Sequence, residues 1–200
     1  MPSPIEPIPE PGRAPEGVLP LAVCEALCDA LARCEEPPQA LAHIEGARHA
    51  LLGPGLLTVN LDATRPTDPP GEIQLRRAWS SQPVEYPVGG RKRKLPTPWT
   101  QQLLLRGEIF IGEGEAALAA VFDDHARIAA MGLLAVINVP LLHGGRCVAT
   151  FNVLGNRARW LPQEVAAVRL LALLAKPFVL QLRCDADDGA SVGGSFVSAD

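Results

Sequence analysis

Residues 133–154 read as two apolar runs joined by His143-Gly144-Gly145-Arg146. A two-residue hairpin turn of the favoured type needs φ > 0 at both central positions, which glycine adopts without steric cost. The pattern predicts a strand over 133–142, a tight turn, and a return strand over 147–154. Such a turn sets the register, so that 142 opposes 147 and 138 opposes 151. One face then carries Val136, Asn138, Pro140, Leu142, Cys147, Ala149, Phe151 and Val153. The other carries Ala135, Ile137, Val139, Leu141, Val148, Thr150, Asn152 and Leu154. Both faces are mainly apolar. A hairpin of this kind must be covered on both sides, which calls for a layered fold.

The flanking segments supply the layers. Cys24, Leu27, Cys28 and Leu31 recur at helical spacing and predict a helix over about 20–34; Leu41, Ile44, Ala47 and Leu51 predict a second over about 38–52. Gly53-Pro54-Gly55 ends it. Strands are expected over 56–61 and 72–79, the latter with Ile73, Leu75 and Trp79 on one face, and over 108–111. Residues 80–107 read as a long irregular loop in which Trp99, Leu103 and Leu104 form a short covering helix. A single helix is expected over 114–130, stopped by Gly132. The last helix, about 162–182, is apolar almost all round. The order is α-α-β-β-loop-β-α-β-β-α: an α+β sandwich built on a mostly antiparallel sheet.

The N-terminal twenty residues hold seven prolines, and the last sixteen are Gly, Ser and Asp-rich. Proline fixes φ and lacks a donor, so residues 1–19 are expected to be a disordered leader; 184–200 are expected to be a disordered tail. That leaves one domain over 20–183. No basic-then-apolar leader marks secretion. The apolar stretch 165–182 is interrupted by Arg169, Lys176 and Pro177, short of the roughly 20 clean residues of a membrane span. The expectation is a soluble, cytoplasmic protein with no membrane contact. Five cysteines are an odd number, consistent with reduced thiols. The net charge of −4 argues against nucleic acid as a partner.

Several of these segments, taken in order, resemble a known family. Phe122-Asp123-Asp124-His125 is followed by the run from Met131-Gly132 to Val139-Pro140-Leu141-Leu142. Then come Gly144-Gly145-Arg146-Cys147-Val148-Ala149-Thr150-Phe151-Asn152-Val153 and Trp160-Leu161-Pro162-Gln163-Glu164-Val165. Together they resemble the second half of a GAF domain, over about 108–180. The resemblance implies a six-stranded antiparallel sheet, with the terminal helices on one face and residues 80–130 capping a small-molecule pocket on the other. It also implies a sensory, signal-transducing role and a homodimer formed through the terminal helices. No output domain is expected within this bacterial-looking chain.

Candidate site residues follow from both readings. Between 72 and 106 seven basic residues face two acidic ones, so the Arg91-Lys92-Arg93-Lys94 run makes a local +5. Arginine grips carboxylate or phosphate bidentately, so Arg91 marks an anion-preferring effector site, a solvated loop being the plainer alternative. Tyr86, Trp99, Phe110 and Phe151 are the aromatics available to a pocket. Asp124 and His125 sit near the pocket-facing helix, where a ligand contact or a capping role is open. Asn138 is a polar group in an apolar strand and needs partners, from a ligand or from loop backbone. No metal and no tightly held cofactor is expected: Cys24, Cys28 and Cys34 match no zinc spacing, and His43 and His49 do not share a helix face. Some stand-alone GAF proteins reduce free methionine sulfoxide through a cysteine before the Val-Pro strand. Residues 128–138 contain none, so no enzyme activity is expected.

Overall fold

The computed structural model describes residues 19–192. Residues 1–18 of the expected leader and residues 193–200 of the expected tail lie outside them. Two helices, α1 (Leu21–Ala32) and α2 (Pro37–Leu52), precede strands β1 (Gly55–Asp62), β2 (Ile73–Ser80) and β3 (Gly89–Lys94). A π-helix (Thr100–Leu105), β4 (Phe110–Glu113), α3 (Glu115–Ala119) and α4 (His125–Ala130) follow. The hairpin β5 (Ala135–His143) and β6 (Arg146–Gly155) leads into α5 (Pro162–Val192). The six strands form one sheet in the order β3-β2-β1-β6-β5-β4, every neighbour antiparallel.

Gly144 and Gly145 have φ of 57° and 77°, the left-handed pair that the turn demands. Leu142 opposes Cys147 as expected, but a bulge follows, and Leu141 opposes Ala149. One extra residue in a strand shifts everything beyond it to the other face. Asn138 therefore opposes Asn152, and Val139 opposes Phe151, which corrects the 138-to-151 pairing. A second bulge lies in β2, where Val59 opposes Trp79 but Asn60 opposes Arg77. It turns Trp79 away from the face of Ile73 and Leu75.

The helical layer covers one face. Ile137, Val139, Leu141, Phe151 and Val153 pack there with Leu41 and Ile44 of α2 and Val168, Leu171, Ala175 and Val179 of α5. By length and composition Pro162–Cys184 is sufficient to cross a membrane, and α5 passes Pro177 unbroken to Val192, beyond the expected stop near 182 and into the expected tail. Its buried side serves as the core helix of this sandwich instead. The other sheet face carries Leu75, Leu103 and Leu104 at one end and Leu56, Val136, Leu154, Leu118, Ile128 and Leu133 at the other.

β3 replaces part of the expected loop. Gly-Gly-Arg-Lys-Arg-Lys has no apolar alternation because it is an edge strand exposed over most of its length. The single helix expected over 114–130 is two short ones. Asp124 stands at the start of α4, and aspartate favours helix starts over helix interiors.

Arg48 of α2 is fully buried, and its Nε and Nη2 donate to both Glu45 carboxylate oxygens at 2.6 and 2.7 Å. Its Nη1 donates to the Gly53 carbonyl at 2.9 Å, fastening the α2–β1 turn. A Cβ on Gly55 would lie 2.3 Å from the Leu154 carbonyl, so only glycine lets β1 start there. Removing one partner of a buried ion pair strands the other. Arg48→Met should lower unfolding free energy by about 3 kcal/mol in urea denaturation.

Candidate functional site

The sheet face opposite the helices carries a cavity of about 220 Å³. Its floor is strand residues: Thr58 and Asn60 of β1, Leu75 and Arg77 of β2, Asn138 of β5, and Asn152 of β6. Its roof comes from the connections, with Tyr86, Trp99, Phe122 and Asp124 closing over the strands.

A relay of amides fixes roof to floor. The Trp99 indole Nε1 donates to Asn138 Oδ1 at 2.9 Å, and Asn138 Nδ2 donates to Asn152 Oδ1 at 2.8 Å. Asn152 Nδ2 is 3.3 Å from both the carbonyl and the hydroxyl oxygen of Thr58. Trp99 meets Phe122 edge to face, with centroids 6.2 Å apart. Trp99, Asn138 and Asn152 are all buried, so each bond is shielded from water.

The cations divide into two sets. Arg91 pairs with Asp68, Lys92 with Asp123 at 3.2 Å, and Arg93 with Glu72 at 2.8 Å. Arg77 and Lys94 have no carboxylate within ion-pair distance among the described residues. The Arg77 guanidinium lies 4.7 Å from the Tyr86 ring centre, and Lys94 Nζ lies 5.2 Å from that of Trp99. Burial disfavours the charge of both; Lys92 adds to this at Lys94, which is held below the usual lysine range. Two buried polar atoms at this cavity, Arg77 Nε and the Tyr86 hydroxyl, have no hydrogen-bond partner among the described residues. Burial, then the Asp124 carboxylate, pushes the Tyr86 phenol well above its ordinary range. Although Asp124 is near enough to act on its charge, it makes no hydrogen bond to the hydroxyl.

Of the residues singled out in the sequence, Tyr86, Arg91, Trp99, Asp124 and Asn138 line this cavity; Phe110, His125 and Phe151 do not. Phe151 lies in the helix-side core, carried there by the hairpin bulge. Phe110 packs among apolar neighbours on the cavity side of the sheet. His125 turns back to the Phe122 carbonyl, 3.0 Å from its Nδ1. Asn138 is held by Trp99 and Asn152, not by loop backbone. Arg77, Lys94, Phe122 and Asn152 were not singled out. Arg77 had a signal, a charge two residues from Leu75 on an apolar face.

Cys147 lines a separate cavity with Thr150 and Leu104. Burial raises its thiol to about 11, the Ala149 carbonyl opposing this weakly, so it is protonated at neutral pH. Among the described residues no three His, Cys, Asp or Glu side chains gather as a metal site.

Residues 39–176 match the GAF domain family. The chain belongs to that family. None of the curated proteins compared matches the sequence. A similar solved structure is the GAF domain of a phosphoenolpyruvate-protein phosphotransferase from Coxiella burnetii. The two are 12% identical with a TM-score of 0.59, covering 84% of this chain and 96% of that one. The chromophore-binding domain of a bacteriophytochrome from R. palustris is 11% identical, with a TM-score of 0.55 over 83% and 61% of the two chains. The GAF domain of a two-component sensor histidine kinase from Bacillus halodurans is 12% identical, with a TM-score of 0.52 over 73% and 97%. At these identities the likeness is one of fold. GAF domains thus occur in sensor kinases and phytochromes, and this chain has their architecture.

The amide relay makes a definite prediction. Trp99→Phe keeps the ring but strands the buried Asn138 oxygen, and should cost about 1–3 kcal/mol in urea denaturation.

Proposed function

We propose that this GAF domain is a sensory module whose cavity binds a small anion and performs no chemistry of its own. The observation that carries this reading lies at one wall: Arg77 Nε and the Tyr86 hydroxyl are buried without hydrogen-bond partners among the described residues, and the Lys94 ammonium lines the same cavity. Buried donors without acceptors cost about 1–3 kcal/mol each, a cost that an anionic ligand would offset. Asp124 offers an acceptor for a hydroxyl or amino group on the same ligand. A cavity of about 220 Å³ is below the ~300–1,000 Å³ usual for drug-sized ligands, which favours a small organic acid over a tetrapyrrole. The burial and protonation of Cys147, away from this cavity, weigh against a thiol-based reductase. The free cysteines suit a reducing cytoplasm.

The test is a calorimetric screen of small mono- and dicarboxylates, with and without amino or hydroxyl groups. Arg77→Met should weaken the best ligand about tenfold or more, the scale of a lost charged hydrogen bond. A bound anion favours the charged form of Lys94. Affinity should therefore fall as pH rises, before the ordinary lysine range is reached, and Lys94→Met should flatten that slope. If no carboxylate binds the wild-type domain, the reading fails.

A second feature favours self-association. On α5, Leu170, Leu173 and Leu174 are 49%, 65% and 40% exposed along one side of the helix. This stripe supports a homodimer through the terminal helices. Light scattering should give a dimer at micromolar concentration, and Leu173→Glu should shift it to monomer without changing the far-ultraviolet dichroism.

A further inference from the structure

A larger concavity, about 570 Å³, lies at the sheet end where β1 runs out and α5 passes. Five arginines line it: Arg65, Arg76, Arg91, Arg146 and Arg183. They come from the β1–β2 connection, β2, β3, the start of β6 and α5. Only Arg91 has a carboxylate partner among the described residues, through Asp68, which also accepts the Arg65 backbone amide at 2.6 Å. The Arg65, Arg76, Arg146 and Arg183 guanidiniums make no ion pair and no hydrogen bond among those residues. Among the described residues the one carboxylate in the wall, Asp62, accepts from Thr64 through its Oδ1. In a chain of net charge −4, this is a strongly positive island.

We infer that this groove is a second anion site, for a compact ligand bearing several phosphates. Like charges gathered around one concavity repel, and that repulsion is relieved when a polyanion binds. Guanidinium presents a planar fork that matches phosphate oxygens two at a time, and several forks from separate elements suit a short phosphate chain. Among the described residues no aromatic side chain lines the groove, so none of them would stack on a base. Recognition rests on the phosphates alone, whether free polyphosphate or the tail of a nucleotide. The site is independent of the small-acid cavity, with Arg91 as the residue lining both.

Calorimetry with inorganic tripolyphosphate on the whole chain tests this, with ATP and a short polyglutamate peptide as further arms. Tripolyphosphate should bind with marked salt sensitivity, and ATP no more tightly. The double variant Arg65→Ala/Arg146→Ala removes two exposed side chains and should weaken tripolyphosphate about tenfold or more while leaving the thermal midpoint unchanged. Arg76→Lys keeps the charge but loses the fork, and should also weaken it. Arg77→Met, which acts at the other cavity, should leave it unaltered. No heat with tripolyphosphate, or full binding by the double variant, would overturn the inference. So would ATP binding far more tightly than tripolyphosphate, which requires base reading, or the peptide binding more tightly than the phosphates.

Discussion

A carboxamide buried in the middle of a sheet must find partners for an oxygen and two protons, and here two of them stand opposite each other. Asn138 and Asn152 cannot both be satisfied by backbone already committed to ladder bonds. One reaches down to Thr58, and the other accepts the Trp99 indole. This requirement selects what lies over the sheet. An aromatic with an N–H donor is needed at one position, and the connection after β3 delivers it. The turn of π-helix that follows then lays Leu103 and Leu104 against Leu75. Without the amide relay, Trp99 would be held over the sheet only by its apolar neighbours and by Lys94.

The helix side has a different logic. There the contacts are mainly aliphatic, with Phe151 and Trp160 among them, and Arg48 and Arg157 fasten the turns. Arg157 donates to the Leu52 carbonyl and to Glu164, joining the end of α2 to the start of α5. The two faces of one sheet thus divide their tasks. One is packed almost without a gap, while the other carries the amide relay and a cavity. The cavity is an outcome of the second face being imperfectly filled.

Much of this was readable from residues alone, for identifiable reasons. The Gly144-Gly145 turn and the apolar flanks located the central hairpin, and the helical repeats of Leu41, Ile44 and Ala47 located α2. What failed were the counts of one. A single bulge at the Leu141–Leu142 step exchanged Phe151 for Asn152 as a cavity residue, because period-two alternation carries any slip to the end of the strand. β3 was invisible because an exposed edge strand has no burial pattern to display. Asp123 and Asp124 broke a helix that apolar spacing alone would have continued. The basic run 91–94 was conspicuous in sequence, yet its Arg91, Lys92 and Arg93 are neutralised by carboxylates from other segments. The arginine groove, gathered from five segments, left no local trace at all.

The charged edge strand has an effect on how the molecule behaves in a crowd. A sheet with both faces buried is open only along its rims, where unpaired backbone groups would template a neighbour's strand. Here one rim bears Arg91, Lys92, Arg93 and Lys94, and a second copy laid against it would have to strip water from these long polar side chains and displace the ion pairs of the first three. The opposite rim, β4, is only four residues long. Both rims of the sheet are thus guarded against strand-by-strand growth into filaments.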